Sequence, residues 1–218
     1  MPAKNIVILV SGNGTNAQAI IESCHQSKIN AKVCAVISNR PSAYALNRAK
    51  AANIDAICID HELFESREAF DETLRKQIDE YQPDLVVLAG FMRILSSQFV
   101  KHYEGKMLNI HPSLLPLYPG LNTHKRAIEN KDTIHGASVH FVTGELDGGP
   151  VVIQAQVNIA KDDTPDTLAT KVAEKEWEIY PLAIAWYCDG RLTTAKDKLI
   201  LDGKTLSRNG ILYNEHLV

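Results

Sequence analysis

One segment of the chain combines side chains that could stabilise a negative charge and move a proton. It reads NIHPSLLP at residues 109–116, and Met107 to Ile110 predicts the end of a short buried strand. Alternate side chains of a strand point to the same face, so the amide of Asn109 and the imidazole of His111 are expected to lie together. An amide can donate to an oxyanion and an imidazole can carry a proton, so the pair is a candidate catalytic unit.

A second segment, ELDGGP at residues 145–150, could supply the missing carboxylate. Asp147 stands there between turn-forming residues. Beside an imidazole, a carboxylate fixes the tautomer and favours the charged ring. Two simpler interpretations stay open: His111 as an ordinary hydrogen-bonded histidine at a strand end, and Asp147 as a plain loop carboxylate. Pro112 disfavours a helical conformation at His111, and Pro116 and Pro119 predict an extended loop after it.

A glycine-containing turn follows the first predicted strand. Residues 11–16 read SGNGTN, and such a turn at a helix start offers backbone N–H groups to a phosphate. The alternatives are a dinucleotide site and a purely structural turn. The looser G-x-G-x-x-A pattern is met by Gly12, Gly14 and Ala17. The acidic residue that an NAD site needs is missing, since strand two ends in Ser38-Asn39-Arg40, although its arginine could hold an NADP phosphate.

Alternating strand and helix patterns position these segments. Strands are predicted at residues 5–10, 33–37, 56–59 and 84–89, and helices at 17–27, 43–52 and 66–81. This alternation predicts an α/β fold, a doubly wound, mostly parallel sheet with a Rossmann-like N-terminal half. In such sheets ligands bind beyond the carboxyl ends of the strands, where the candidate segments fall.

The pattern changes in the C-terminal half. Residues 136–142 and 151–159 alternate and predict an antiparallel extension at the sheet edge, and a helix is expected from Thr164-Pro165 to about Cys188. Residues 191–218 predict short irregular strands. A single domain over residues 1–218 is expected, with halves at about 1–105 and 106–218.

Composition excludes several classes of protein. The 218 residues are 45% hydrophobic and 22% charged, with a net charge of −3, which does not favour nucleic-acid binding. No apolar run approaches the ~18 residues of a membrane span, and no signal-peptide cleavage region is evident. Four widely spaced cysteines suit a reducing compartment, so a cytoplasmic protein is expected.

The histidines do not form a metal motif. His135 and His140 lack metal-ligand spacing with His111, so no metal is expected. The other five histidines are expected at the surface: His25, His61, His102, His124 and His216.

Four segments together closely resemble the glycinamide ribonucleotide formyltransferases, also called phosphoribosylglycinamide formyltransferases. They are residues 11–16 (SGNGTN), 89–95 (AGFMRIL), 109–116 (NIHPSLLP) and 147–150 (DGGP). The resemblance covers roughly residues 4–192, with order and spacing kept. The Asn-x-His-Pro-Ser…Asp-x-Gly core is shared with other enzymes that use formyltetrahydrofolate, whereas the SGNGTN loop picks out this family.

The resemblance implies a folate-dependent one-carbon transferase of de novo purine biosynthesis. It would transfer the formyl group of 10-formyltetrahydrofolate, its co-substrate, to the amine of glycinamide ribonucleotide through a tetrahedral intermediate, without a metal. The implied catalytic residues are Asn109, His111 and Asp147. The substrate phosphate would be bound by Gly14, Thr15 and Asn16, and the ribose hydroxyls by Glu176. The folate site would be lined by Arg67, Met92, Arg93, Ile94, Leu95, Asn109, Thr143, Gly144, Glu145, Leu146 and Asp147.

One position departs from the family pattern. Three residues before Glu176 the family often has a long polar side chain near the phosphate, and here the residue is Ala173. Lys171 or Lys175 could take its place. The expected partners are therefore small molecules, and the expected assembly is a monomer or weak homodimer.

Three other functions share part of these sequence features. A formyltetrahydrofolate hydrolase would share the catalytic residues but normally adds an N-terminal regulatory domain. An NADP-binding oxidoreductase rests only on the loose glycine pattern. A methionyl-tRNA formyltransferase would need a basic C-terminal domain, for which this chain is expected to have no room.

Overall fold

The computed structural model of the protein describes residues 2–195 and 198–214. The chain divides into two compact units, residues 1–109 and 110–218. This division falls near the expected boundary between the two halves, while the expectation of a single domain stays a prediction. In the part of the chain that is described, no helix is both long and apolar enough to cross a membrane.

The first unit is built on parallel strands. They are β1 (Lys4–Val10), β2 (Ala31–Ser38), β3 (Asp55–Cys58), β4 (Leu85–Leu88) and β5 (Met107–His111), and the last two residues of β5 belong to the second unit. Their order is β5-β4-β1-β2-β3, with every pair parallel. The central strand β1 is buried on both faces, since residues 6–10 are 0% exposed. This is the strand order of a doubly wound sheet, as the sequence predicts.

Helices connect these strands. They are α1 (Thr15–His25), α2 (Ala45–Ala51), α3 (Arg67–Asp79) and α4 (Ser97–His102), with a short 3₁₀ helix at His61–Leu63. Helices α1 and α2 pack together, and α3 packs with α4. Right-handed crossovers on either side of β1 place the two pairs on opposite faces. The predicted N-cap of α3 is confirmed, because the hydroxyl of Ser66 accepts a hydrogen bond from the N–H of Ala69.

The second unit carries the antiparallel strands. The helix α5 (Thr123–Glu129) precedes the antiparallel pair β6 (Ile134–Phe141) and β7 (Val151–Asn158), and α6 (Pro165–Cys188) packs on both strands. The predicted start of α6 is confirmed: Thr164 caps the helix and Pro165 is its first residue. The antiparallel pair predicted for the C-terminal half is therefore confirmed.

Short strands follow α6. They are β8 (Leu192–Ala195), β9 (Lys198–Leu201), β10 (Lys204–Thr205) and β11 (Ile211–Leu212). The first three form a small antiparallel sheet, and β11 runs parallel to β7. They agree with the short strands expected over 191–218, of which residues 196, 197 and 215–218, His216 among them, lie outside the described part.

Candidate active site

Strand β5 presents the predicted amide and imidazole. Asn109 and His111 stand two residues apart near its end, where the pleat turns both side chains to one face. The side chain of His111 is only 7% exposed. Its Nε2 lies 2.8 Å from the carbonyl oxygen of Tyr118, and because a carbonyl only accepts, this nitrogen carries a proton.

The loop after His111 folds back instead of running extended. The N–H of Leu117 donates to the carbonyl of Leu114 at 3.0 Å, which closes a turn, and the hydroxyl of Ser113 donates to the carbonyl of Leu117 at 2.5 Å. The extended loop predicted from its prolines is therefore wrong. Local hydrogen bonds close the turn and bring the Tyr118 carbonyl to the His111 ring.

Asp147 comes to His111, as the sequence predicts. Its Oδ2 lies 3.4 Å from Nδ1 of His111 and accepts a hydrogen bond from the N–H of Gly120 at 2.8 Å. Asp147 has a φ of 51°, a left-handed conformation that non-glycine residues adopt rarely, most often as Asn or Asp. A protonated Nδ1 would donate to this carboxylate, so the pair can hold a charged imidazole and relay a proton.

A second histidine, which was not predicted as a site residue, faces the same carboxylate. Nε2 of His140, on β6, lies 3.7 Å from Oδ1 of Asp147, and its Nδ1 is 2.9 Å from the carbonyl of Phe141. Burial lowers the pKa of His140, against the opposing effect of the Asp147 charge. The ring is therefore neutral, with Nδ1–H donating to the carbonyl. No local motif marks His140 as a site residue. The alternating pattern of its strand predicts only that the side chain is buried.

Two further imidazoles lie behind His111. The rings of His124 and His135 meet edge to face at 5.2 Å. Burial lowers the pKa of both, that of His135 to about 4, and each is lowered further by the charge of His111. Among the described residues, Nδ1 of His124 and Nε2 of His135 have no hydrogen-bond partner. The surface position expected for His124 is wrong, because on α5 its ring packs against His135 and its Nδ1 is buried.

The other histidines expected at the surface divide into two groups. His25 and His102 are exposed, as predicted. His61 is half-buried, with Nδ1 2.8 Å from the carbonyl of Asn39, so its predicted surface position is wrong.

In the first unit, the loop at residues 11–16 is shaped by close contacts. Gly14 has a φ of 76°, and a Cβ added there would lie 2.4 Å from the Cβ of Ala45. Gly14 stands at the N-cap of α1 and places no side chain over the first N–H groups of the helix. Arg48 holds the loop from outside, with Nε 2.8 Å from the carbonyl of Asn13. The N-terminus of a helix suits an anion, although the roles predicted for Gly14, Thr15 and Asn16 stay predictions.

The hydroxyl of Ser11 ties this loop to the segment after β4. It donates to Oδ1 of Asn39 at 2.6 Å and accepts from the N–H of Met92 at 2.7 Å. Ser11 is 7% exposed and Asn39 is 0% exposed. The end of β2, the loop at residues 11–16 and the segment after β4 are therefore linked through one buried hydroxyl.

The residues predicted to line the folate site in the first unit lie at its surface. Met92 and Ile94 are 60% and 63% exposed, Leu95 is half-buried, and Arg67 is exposed with Nε 3.4 Å from the carboxylate of Glu68. The guanidinium of Arg93 stacks 4.5 Å above the ring of Phe70. Exposed apolar side chains beside a fixed guanidinium suit a ligand with a flat ring and a carboxylate, but the assignment stays a prediction.

The predicted residues of the second unit occupy a loop and a helix. Thr143, Gly144 and Glu145 are exposed and Leu146 is 56% exposed, all in the loop that ends at Asp147. Glu176 is 9% exposed on α6.

The two lysines near Ala173 already have carboxylate partners. Nζ of Lys171 lies 2.6 Å from Asp163, and that of Lys175 lies 3.0 Å from Glu178. A phosphate contact by either lysine would compete with these pairs, so their replacement of the missing polar side chain stays a prediction.

The side chains show no metal-binding arrangement in the described part of the chain. Over residues 2–195 and 198–214, no three His, Cys, Asp or Glu side chains are grouped so that they could hold a metal ion.

Comparison with known proteins decides the family. The sequence model of the family described as formyl transferase matches residues 4–184. The chain belongs to the formyl transferase family. The resemblance seen in the four sequence segments is thereby confirmed.

Among curated relatives, this formyl transferase is similar to proteins of one name. It is 53% identical to the phosphoribosylglycinamide formyltransferase of Escherichia coli (strain K12), covering 97% of this chain and 100% of that protein. It is 45% identical to the Haemophilus influenzae protein of the same name, covering 95% of this chain and 98% of the relative.

The fold of this formyl transferase is also similar to a solved structure. The phosphoribosylglycinamide formyltransferase of Coxiella burnetii, in complex with CHES, matches with a TM-score of 0.93 at 51% identity. The match covers 97% of this chain and 100% of that one. The predicted fold class is therefore confirmed.

Proposed function

We propose that the protein transfers the formyl group of 10-formyltetrahydrofolate to the amine of glycinamide ribonucleotide in purine biosynthesis. The products are formylglycinamide ribonucleotide and tetrahydrofolate. The choice of substrates is supported by full-length likeness to proteins named phosphoribosylglycinamide formyltransferase. The chemistry is supported by one observation above all, the contact of 3.4 Å between Asp147 and His111.

The first step is attack of the substrate amine on the formyl carbon. The new C–N bond forms as the carbonyl π pair moves to oxygen, which gives a tetrahedral intermediate with a negative oxygen. Asn109 donates an N–H to this oxygen, and protonated His111 donates a second. Deleting one such donor typically slows an acyl transfer by ~10²–10³-fold.

The orientation of His111 decides which of its nitrogens acts. Nε2–H is already engaged by the carbonyl of Tyr118 at 2.8 Å. Nδ1–H is therefore the only ring donor that remains, and it is shared between the Asp147 carboxylate and the oxyanion. The Asp147 carboxylate lies 3.4 Å from Nδ1 of His111. Catalytic hydrogen bonds are often long before a ligand binds, so this carboxylate can come closer to the Nδ1 proton when substrate is bound.

The second step releases the folate. The electron pair of the negative oxygen re-forms the C=O bond, and the bond between the formyl carbon and N10 of the folate breaks with its electrons going to N10. The ammonium formed in the first step loses a proton, and N10 gains one. Asp147, whose side chain is 9% exposed, helps to move the proton from the ammonium to N10. A water molecule relays the proton where the carboxylate does not contact these nitrogens directly. Electrons and protons balance without a formyl-protein intermediate.

Substrate binding is assigned to other segments. The phosphate is held by Gly14, Thr15 and Asn16, where the start of α1 offers N–H groups. Glu176 holds the ribose hydroxyls. The residues assigned to the folate are Arg67, Met92, Arg93, Ile94, Leu95, Asn109, Thr143, Gly144, Glu145, Leu146 and Asp147.

A spectrophotometric assay tests the proposal. Purified protein is given a 10-formyl folate with and without glycinamide ribonucleotide, and release of the deformylated folate is followed. Release that depends on the ribonucleotide supports the transferase, whereas equal release without it would indicate a formyltetrahydrofolate hydrolase. No release in either reaction would overturn both.

Two variants test the catalytic residues. His111→Ala and Asp147→Asn are each expected to lower kcat by at least ~10²-fold, the typical loss for one oxyanion donor or proton-transfer group, while a folate analogue still binds. Near-wild-type turnover in either variant would exclude the assigned role.

A further inference from the structure

Tyr118 connects the catalytic histidine to a set of contacts outside the site. Its backbone carbonyl accepts the hydrogen bond from Nε2 of His111 at 2.8 Å. This carbonyl fixes which ring nitrogen carries the proton and how the ring is turned, since a neutral imidazole has one donor and one acceptor. The position of one backbone carbonyl therefore orients the Nδ1 edge toward Asp147.

The side chain of Tyr118 is held from several directions. Its hydroxyl donates to Oδ2 of Asp132 at 2.5 Å and accepts from Nδ2 of Asn130 at 2.8 Å. The guanidinium of Arg126 lies 5.1 Å from the ring centroid, and the ring of His135 meets it edge to face at 6.1 Å. These residues lie on α5, on β6 and in the turn between them, so the second unit's framework anchors the loop.

The backbone of Tyr118 would not hold this position by itself. Its φ is 54°, in the left-handed region that a residue with a Cβ rarely adopts. The neighbouring Leu117 is 55% exposed, so the loop has little apolar burial there. A disfavoured backbone with an exposed neighbour needs an anchor, and the hydroxyl contact with Asp132 provides one.

We propose that Tyr118 is a positioning residue for His111, and that the hydrogen bond from its hydroxyl to Asp132 holds the carbonyl that orients the imidazole. The assignment rests on the proposed function for its kinetic effect. The proposed role of Tyr118 is to orient the His111 ring and not to take part in the reaction, because among the contacts of the described residues its side chain touches neither Nδ1 of His111 nor Asp147. Its loss should therefore lower kcat and leave the KM values of both substrates unchanged.

The central variant is Tyr118→Phe, which keeps the ring and removes the hydroxyl. Its expected effect is a loss of about 10-fold in kcat, in the range that a small misplacement of a catalytic group produces. Asp132→Ala should give a similar loss, and Asp132→Asn should recover most of it, because an amide oxygen can still accept from the tyrosine. The double variant of Tyr118→Phe with Asp132→Ala should lose no more than either single one.

A matched control comes from the first unit. The hydroxyl of Tyr81 donates to Oδ2 of Asp55 at 2.8 Å, a Tyr–Asp contact of the same chemistry in a more exposed position. Tyr81→Phe should leave kcat unchanged. An equal loss of kcat in this control would show that the effect is general destabilisation and would overturn the assignment.

The second readout is independent of turnover. Long-range ¹H–¹⁵N correlation spectra report which nitrogen of His111 is protonated, without any substrate. In the wild type the Nε2–H form should dominate, and in Tyr118→Phe the spectra should show a mixture of tautomers, with circular dichroism confirming the fold. An unchanged tautomer would overturn the positioning role, even if the wild type transferred formyl groups as proposed. A wild type inactive toward glycinamide ribonucleotide would overturn the proposed function but leave this spectral test intact.

Discussion

The ring of His140 faces the carboxylate of Asp147, with Nε2 3.7 Å from Oδ1. The other oxygen of that carboxylate faces His111, so one aspartate stands between two imidazoles with different partners. Burial keeps the pKa of His140 low, and its Nδ1–H donates to the backbone. His140 thus offers a fixed neutral ring that limits the orientations open to Asp147.

Replacing His140 by Ala should lower kcat by about 10- to 100-fold, with little change in KM, because Asp147 would lose a neighbour that fixes its orientation. Steady-state kinetics with both substrates measures this. His102→Ala is the control, since Nε2 of His102 lies 3.1 Å from Asp79 in an exposed pair of the first unit. A kcat for His140→Ala equal to that of the control would contradict the role.

Two glycines of the SGNGTN loop should differ sharply in their tolerance of a methyl group. Gly14→Ala places a Cβ 2.4 Å from the Cβ of Ala45 at a φ of 76°, so the unfolding free energy should fall by about 2–5 kcal/mol, the sum of left-handed strain and overpacking. The KM for glycinamide ribonucleotide should rise. Gly12→Ala is the matched control, because nothing lies within 4 Å of the added Cβ. Urea titrations that give the same loss for both variants would refute the steric argument.

Removing the hydroxyl of Ser11 should affect folate binding as well as stability. Ser11→Ala leaves Oδ1 of Asn39 and the N–H of Met92 without their shared partner, at a cost of about 1–3 kcal/mol. Because Met92 begins the predicted folate segment, the KM for the formyl folate should rise several-fold.

Ser38→Ala provides the comparison. Ser38 is 1% exposed, and its hydroxyl donates to the carbonyl of Arg40 and accepts from its N–H, where Ser11 bonds to Asn39 and Met92. A similar stability loss without a change in KM is expected. Equal KM values in the two variants would show that Ser11 has a structural role alone.

Stability should depend on pH through His135. Its pKa is about 4 in the folded protein because burial disfavours the charge, against an ordinary value of about 6.5 in the unfolded chain. Between these values the unfolded chain binds a proton that the folded protein does not, so stability is full above pH ~6.5 and is lost as the pH falls toward 4. The shift corresponds to about 3 kcal/mol.

The variant His135→Asn should remove this part of the pH dependence. Urea unfolding at intervals from pH 8 to pH 4.5 measures the slope for both proteins. The difference between the two proteins at pH 8, where His135 is neutral in both the folded and the unfolded wild type, gives the packing contribution and is subtracted. Identical slopes below pH 6.5 would contradict the assignment to His135.

The sequence by itself determined the elements whose signals are local. The apolar run of β1 predicts a strand buried on both faces, and Ser66 and Thr164 mark helix starts because an N-cap needs a hydroxyl or similar acceptor at one position. Asn109 and His111 could be placed on one face from the two-residue period of a strand. Helices α4 and α5, of 6 and 7 residues, were not predicted, because each has too few turns to show a periodic apolar face and neither is alanine-rich as α2 is.

Tertiary structure decided which distant groups meet. The sequence offered Asp147 as a candidate partner for His111, from its turn-forming segment and then from the family resemblance, but only the folded chain sets their atoms 3.4 Å apart. The sequence does not mark His140 as a site residue, because on an alternating strand an inward histidine cannot be told from any other buried side chain. Only the folded loop that carries Asp147 brings the carboxylate to its ring. The same holds for Tyr118 and Asp132, which are brought together by a turn and a helix that have no shared local pattern. Local propensity selects helix, strand and cap, whereas the contacts that orient a catalytic ring depend on how those elements pack.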